Sequence, residues 1–310
     1  MKRLCKLLCL LLAGVMLVAC APQDGGEQDD VAKRSFTDSV GQRVEVKAEL
    51  ERVAVLFSSL ADVWTLAGGS IAVTVGETVE RGIVSADAVT LVDDGAGKTV
   101  NTELLIAAAP DLVLVSADVP AQTEAAALLR EANIPVAELR MESFGDYLKV
   151  LEICAYLCGD PAAYQTYGIE QQKRIAAVTD AKPFAGKRIL FVRAGSTARS
   201  VKAKSSADHF AATMISELGA VNIADSAPLL LDGLSMEVIL AEDPDYIFFI
   251  SMGDEDASRN YVTEMLSADA WQGLRAVRSG KWSFLSKDLF HYKPCGRWAE
   301  AYETLAALPL

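Results

Sequence analysis

The chain has 310 residues, of which 51% are apolar and 23% charged, and it carries a net charge of −13 at neutral pH. This length suits two domains of ordinary size, and the composition is that of a folded protein. Such acidity, with no stripe of clustered Lys and Arg between aromatics, argues against a nucleic-acid partner.

The chain begins with Lys2, Arg3 and Lys6, followed by an apolar run from Leu7 to Ala19 that is too short to span a bilayer comfortably. It ends in Leu17-Val18-Ala19-Cys20, which resembles the lipobox of bacterial lipoproteins, where cleavage precedes a Cys that is then lipidated. The expectation is a signal peptide over 1–19 and a lipidated Cys20 opening a flexible tether over 20–34; an ordinary signal peptide with a chance Cys is the alternative. The acidic stretch Ala21 to Lys33 has no large apolar residue with which to build a core. Of the six cysteines, Cys5 and Cys9 would leave with the leader and Cys20 would be the anchor. Cys154, Cys158 and Cys295 remain, an odd number that implies no complete disulfide framework. Cys154 and Cys158 continue the apolar stripe of Phe144, Tyr147 and Leu151, so buried packing is expected rather than metal binding.

Ser35 to Lys47 alternates in period two around Ser39-Val40-Gly41-Gln42 and reads as a β-hairpin. Arg52 to Phe57 is a buried strand, and a helix from Leu60 to Ala67 follows Ser58-Ser59. Ile71 to Val75 is the next strand, and Thr78 to Gly97 is irregular, with a short strand near Val89 to Val92. Ala121 to Ala132 is a helix leading to a short edge strand at Ile134 to Ala137. Ser143 to Cys158 is a helix closed by Gly159. Asp160-Pro161 then starts another, with Asp as cap and Pro in the first turn; it runs to about Thr179, roughly 28 Å at 1.5 Å per residue. Lys187 to Val192 echoes the Arg52 strand, and Arg193 to Ser206 reads as a loop. A helix follows at Ala207 to Leu218, then Tyr261 to Leu266 is helical, Lys281 to Leu285 is a strand, and Trp298 to Ala307 is the closing helix.

One unit occurs twice. Asn101-Thr102-Glu103 leads through Leu104-Leu105-Ile106 to Pro110-Asp111 and the strand Leu112 to Val115. Ser235-Met236-Glu237 leads through Val238-Ile239-Leu240 to Pro244-Asp245 and the strand Tyr246 to Phe249. Each has a cap position, a Glu two residues later, a short helix, a Pro-Asp turn and a buried strand. Strand–helix alternation with this repeat gives an α/β fold of two similar lobes with mostly parallel sheets. Their expected bounds are 35–142 and 181–310, with a helical connector over 143–180. Ligands gather outside the carboxyl ends of such strands. In the first lobe these ends are Ser58-Ser59, Gly95 to Thr99, Ser116 to Asp118 and Arg140 to Glu142.

The order of segments resembles the solute-binding proteins of ABC importers for iron-siderophores, haem and vitamin B12. The matching stretches are FTDSVGQRVEV, RVAVL, NTELLIAAAPDLVLV, ELGAVNIAD, LSMEVILAEDPDYIFF, AWQGLRAVRSGKW and LFHYKPCGRWAEAYETL, covering about Phe36 to Leu308. The resemblance implies two Rossmann-like lobes joined by a rigid helix, with the ligand in the cleft between them. It implies an ABC permease and its ATPase subunits as partners, docked through one Glu on each lobe. By motif these are Glu103 and Glu237, although a Glu in a first helical turn is also favoured by the helix dipole alone. Cys295 stands where relatives tend to carry Asn after Lys-Pro.

A bare metal ligand is disfavoured by the presence of only two histidines, His209 and His291, far apart in sequence. A chelated metal fits better, since the ligand brings its own coordination shell; no cofactor of the protein's own is expected. Siderophore oxygens call for Arg, Lys, Tyr and aromatic walls. The candidates are Arg140, Arg193, Arg199, Lys202, Lys204 and Tyr292, with Trp64 as a wall if it is not core. Haem is the alternative ligand, with His291 or Tyr292 as axial ligand; cobalamin would fit the same architecture. An enzyme is the competing class, but no Gly-x-Ser-x-Gly elbow or His-Glu-x-x-His occurs. Gly95-Ala96-Gly97-Lys98-Thr99 lacks the upstream Gly of a phosphate loop, and Asp93-Asp94 has no visible catalytic partner. The expected product is an extracytoplasmic, membrane-anchored, monomeric carrier.

Overall fold

The opening alternation folds as a hairpin of β1 (Lys33–Thr37) and β2 (Arg43–Lys47), paired antiparallel. Asp38 closes its turn by accepting the N–H groups of Val40 and Gln42 at 3.1 and 2.8 Å. The computed structural model describes residues 32–93 and 99–310. The expected signal peptide over 1–19, Cys20, nearly all of the expected tether, and Asp94 with Gly95 to Lys98 lie outside the described residues.

The first lobe contains β3 (Val53–Val55), β4 (Val73–Thr74), β5 (Thr90–Leu91), β6 (Leu112–Ser116) and β7 (Val136–Leu139). They form a parallel sheet in the order β5-β4-β3-β6-β7. The second lobe contains β8 (Arg188–Ala194), β9 (Lys202–Ala203), β10 (Val221–Asn222), β11 (Tyr246–Ser251) and β12 (Trp282–Phe284). Its parallel order is β10-β8-β11-β12, with β9 antiparallel on β8. In each lobe the first strand is interior and the chain moves outward on both sides of it. That places a topological switch beside β3 and beside β8, where ligands of open α/β sheets bind. Every residue of β6 and of β11 is buried, as expected of central parallel strands covered on both faces.

The helix Phe144–Cys158 is capped by Ser143, whose side chain accepts the N–H of Asp146, and ends at Gly159 with φ +70°, a left-handed cap that glycine adopts without strain. Asp160 then caps the connector by accepting the N–H groups of Ala162 and Ala163. The connector is helical from Pro161 to Asp180, but differs from the single α-helix expected. Pro161–Tyr164 and Glu170–Asp180 are α-helical, and Gln165–Ile169 is a π-turn between them. Gly168 lies in that turn, where an added Cβ would come within 3.0 Å of Leu148. The close approach of two helices explains the wide turn and the glycine together. Two other helices differ in extent: Phe210–Glu217 starts later than expected, and Glu255–Leu266 starts earlier because Asp254 caps it.

The inner faces of both sheets share one apolar core. It runs from Val55, Leu60 and Trp64 through Tyr147, Cys154 and Ile175 to Phe191, Phe210 and Trp298. Separate clusters cover the outer face of each sheet. Phe144, Tyr147 and Phe210 surround Trp298 with ring centroids 5.8, 6.1 and 5.8 Å away, joining the Phe144–Cys158, Phe210–Glu217 and closing helices. The helix Trp298–Ala306 lies along the connector, held by a two-bond pair from Arg174 to Glu303 at 2.9 and 2.6 Å. Aromatic and apolar packing of this extent makes the junction stiff. Among the described residues no helix is long and apolar enough to cross a membrane.

Candidate ligand-binding cleft

The loops at the carboxyl ends of both sheets bring one group of side chains together. From the first lobe come Ser58 and Ser59 after β3, Glu77 and Arg81 after β4, and Glu142 after β7. From the second come Arg193 near the end of β8, and Lys287, His291, Tyr292 and Lys293 after β12. Arg81 donates to Ser58 Oγ at 3.0 Å, pairs with Asp62 at 3.5 Å, and lies 4.5 Å above the ring of Tyr292 from the other lobe. Ser58 also bonds the Glu77 carboxylate. Lys293, only 9% exposed, pairs with Glu142 at 2.6 Å and lies 4.5 Å over Phe210. These contacts tie the two lobes across the cleft. They also neutralise Arg81 and Lys293.

Several cations bear on the His291 ring. Burial lowers His291 to about 4, and Lys287, Arg193, Arg81 and Lys293 push it the same way, so its imidazole is neutral at physiological pH. Burial lowers His209 to about 3, helped by Lys293, His291, Lys204 and Arg193. Burial raises the Tyr292 hydroxyl and Glu77 adds to this, while Arg81 opposes it; the phenol stays protonated. Among the described residues no group of three His, Cys, Asp or Glu side chains could hold a metal ion.

The structure thus gathers His291, Tyr292, Arg193, Lys202 and Lys204. Lys202 is not on a loop as the sequence suggested: it lies in β9, directly opposite Arg193. Arg199 is exposed on the adjoining short turn Ala198–Ser200. Arg140 follows β7 as expected, but its guanidinium pairs with Asp118 at 2.9 Å. Trp64 is core: it is 2% exposed, donates to the Ser70 carbonyl at 2.9 Å, and packs under Gly69, leaving no face for a ligand. Cys154 and Cys295 are buried free thiols and Cys158 is partly buried. Arg81, Glu77, Lys287 and Lys293 escaped the sequence reading. Arg81 and Glu77 fall in a stretch with no clear period, and Lys293 stands beside Tyr292 in a loop whose direction only the fold reveals.

Glu103 and Glu237 are exposed and make no hydrogen bond or ion pair among the described residues. Asn101, not Glu103, caps the helix Thr102–Ala107. A helix that precedes a parallel strand runs against it, so both glutamates stand at the carboxyl end of their sheet, where the cleft opens.

Two depressions lie away from this group. One of about 510 Å³ involves Lys47, Pro110 and Ile134 at the amino ends of β6 and β7; the other, about 630 Å³, runs along the connector beside Phe144, Ile175 and Tyr302.

Two parallel-sheet lobes on a stiff helical junction, with polar groups converging at their strand ends, define a two-lobed ligand-binding protein. The profile of the periplasmic binding protein family matches residues 53–289, and the chain belongs to that family. No protein of curated function matches it. Among solved structures it is similar to the siderophore-binding protein BauB, bound to two acinetobactin molecules and ferric iron, at 15% identity and TM-score 0.71 over 90% of this chain and 100% of that one. It is similar to the periplasmic haem-binding protein RhuT from Roseiflexus sp. RS-1 at 18% identity and TM-score 0.67, covering 83% and 97%. The periplasmic vitamin B12-binding protein BtuF of Vibrio cholerae gives 18% and 0.65, covering 83% and 95%. At these identities the likeness is one of fold.

Proposed function

We propose that this chain is the extracytoplasmic solute-binding lipoprotein of an ABC importer, and that it captures a ferric siderophore in the interlobe cleft and delivers it to the permease. The observation that carries this reading is the convergence of Arg81, Arg193, Lys287, His291 and Tyr292 from both lobes at the strand ends. These groups suit the oxygens of a chelate that brings its own metal shell. The proteins of similar fold support it, since their ligands are a ferric siderophore, haem and vitamin B12.

In this scheme residues 1–19 are cleaved, Cys20 carries the lipid, and 20–34 tether a monomer whose lobes span 35–142 and 181–310 about a connector over 143–180. The protein is a carrier, not a catalyst, and partner subunits hydrolyse ATP. The lobes close modestly because one core spans the junction. Glu103 and Glu237 then dock on cationic groups of the permease; their free carboxylates support this role. Reversing both charges abolishes transport and leaves ligand affinity unchanged; normal transport by that double variant would refute docking through them.

The test of function is tryptophan fluorescence of the full chain in detergent, titrated with ferric hydroxamates, ferric catecholates, ferric citrate, haem and cobalamin. Submicromolar saturation by one iron chelate, without response to free metal ions, is expected. Saturation by haem, with a Soret band that shifts on replacing His291 or Tyr292, would move the assignment to haem. Silence across the panel would refute the chelate reading.

A further inference from the structure

Strands β8 and β9 carry an arrangement that the fold does not need. Val192 and Ala203 are cross-strand partners, and both are buried in the outer core of the second lobe. Arg193 and Lys202, the next pair, therefore point to the other face, the one carrying Ile189 and Phe191 toward the junction. Lys204 shares that face with Lys202, and its N–H bonds the Phe191 carbonyl at 2.9 Å. Two cations directly opposite each other on a sheet destabilise it. None of the three has a carboxylate partner among the described residues, although the chain carries a net charge of −13. All three are half-buried, and Arg193 Nε is enclosed without a hydrogen-bond partner. A buried guanidinium N–H left unmade is costly, and an anionic oxygen on this face would satisfy it.

The first lobe contrasts with this. Its Arg81 is already engaged by Asp62, Ser58 and Tyr292, and the Lys293 that reaches it is neutralised by Glu142. Among the described residues of the cleft, the unpaired positive charge is thus on one wall. Lys287 extends it, its ammonium donating to the Gly253 carbonyl at 3.3 Å.

We infer that the ligand is a multiply negative chelate whose anionic oxygens seat on the second lobe, against Arg193, Lys202 and Lys204, with Arg193 as the specificity-determining residue. This deepens the proposed chelate function and rests on it. The anion gives Arg193 an acceptor and relieves the cross-strand repulsion with Lys202. Neutral His291 beside it adds no charge and can accept or donate a hydrogen bond. The first lobe covers the opposite side of the chelate and contributes less to its selection.

The test compares chelates of opposite charge with the same metal. Ferric citrate and a ferric tris-catecholate are negative, and ferric desferrioxamine B is a cationic trihydroxamate. Each is titrated into the full chain in detergent and followed by tryptophan fluorescence. At least one anionic chelate is expected to bind at least about 100-fold more tightly than the cationic one, with affinity falling as salt rises. Arg193→Gln is expected to weaken that anion by at least about 10-fold, as is the double variant Lys202→Gln, Lys204→Gln. Thermal melts of the ligand-free variants should match or exceed wild type, which separates lost binding from lost fold. Equal or tighter binding of the cationic chelate, or an Arg193→Gln effect within about twofold, overturns the inference while leaving the chelate function standing. Failure of every chelate to bind overturns both.

Discussion

The backbone N–H of Arg188 donates to the Asp245 carboxylate at 2.9 Å, and the N–H of Asp245 returns to the Arg188 carbonyl at 2.7 Å. Arg52 and Asp111 do the same in the first lobe, at 3.0 and 2.9 Å. Each Arg side chain also bonds a carbonyl at the end of the preceding helix, Ala108 at 3.0 Å and Glu242 at 3.3 Å. The residue before each Pro, Ala109 or Asp243, is left-handed, with φ +45° and +35°. The Pro-Asp of the repeated unit is thus a clamp that fixes the start of each lobe's first strand to the start of its neighbour. Because cleft residues follow those strands, the clamp sets the strand register on which the cleft depends.

Removing one clamp should cost stability in its own lobe. Asp111 accepts N–H groups of Glu51 and Arg52, both at 3.0 Å, and binds Lys47 at 2.7 Å. Asp111→Ala leaves those backbone donors without their partner, so we expect a loss of about 2 kcal/mol in urea unfolding, with Asp111→Asn recovering part of it. An Asp111→Ala midpoint equal to wild type would show that the turn does not depend on the carboxylate.

Acid should weaken the fold through His209. This ring is stacked on Phe210 and tilted against Phe191, and its Nδ1 accepts the N–H of Ala211 as a helix cap. Its folded value of about 3 lies below the ordinary 6.5, so the unfolded chain binds the extra proton between those values. Stability is therefore full above about pH 6.5 and falls as pH drops toward 3, by about 3 kcal/mol at pH 4 from this residue. His209→Asn keeps a capping side chain and removes the titration. Urea midpoints from pH 7 to 4 should fall less steeply in that variant than in wild type.

The three thiols among the described residues should differ in reactivity. Burial raises Cys158 to about 11, partly offset by Arg34, and raises Cys154 and Cys295 further. In native protein at pH 8 a disulfide reagent should modify Cys158 slowly, and Cys154 and Cys295 only after denaturation. Fast labelling of Cys295 would show that the junction opens far more readily than its packing implies.

Cys295 has φ +49° at a fully buried position, a conformation that Asn adopts more easily than Cys. Its thiol faces the carbonyls of Ser59 and Lys293, each at 3.3 Å. An amide there would donate to the same acceptors. We expect Cys295→Asn to preserve the fold and raise stability by about 0.5–1 kcal/mol; a lowered melting temperature would show that the site is too tight for the amide.

Much of the architecture was legible in the chain alone. Paired Pro-Asp turns, buried strand runs and the Asp160-Pro161 helix start act locally, through backbone geometry and capping, so they are written where they act. The same holds for the free glutamates: Glu103 and Glu237 keep one place in a repeat. The candidate cleft residues were less legible, because their placement depends on distant partners. Trp64 was open between wall and core, and it is core because Gly69 and Ser70 close over it. Arg140 is held by Asp118, and Lys202 lies opposite Arg193 because β9 folds back on β8. Arg81 meets Tyr292 across more than two hundred residues of chain. Periodicity records which face of an element is buried, and that was enough for the lobes. Which charges meet across a cleft is decided by how two sheets pack on one core, and only the tertiary structure carries that.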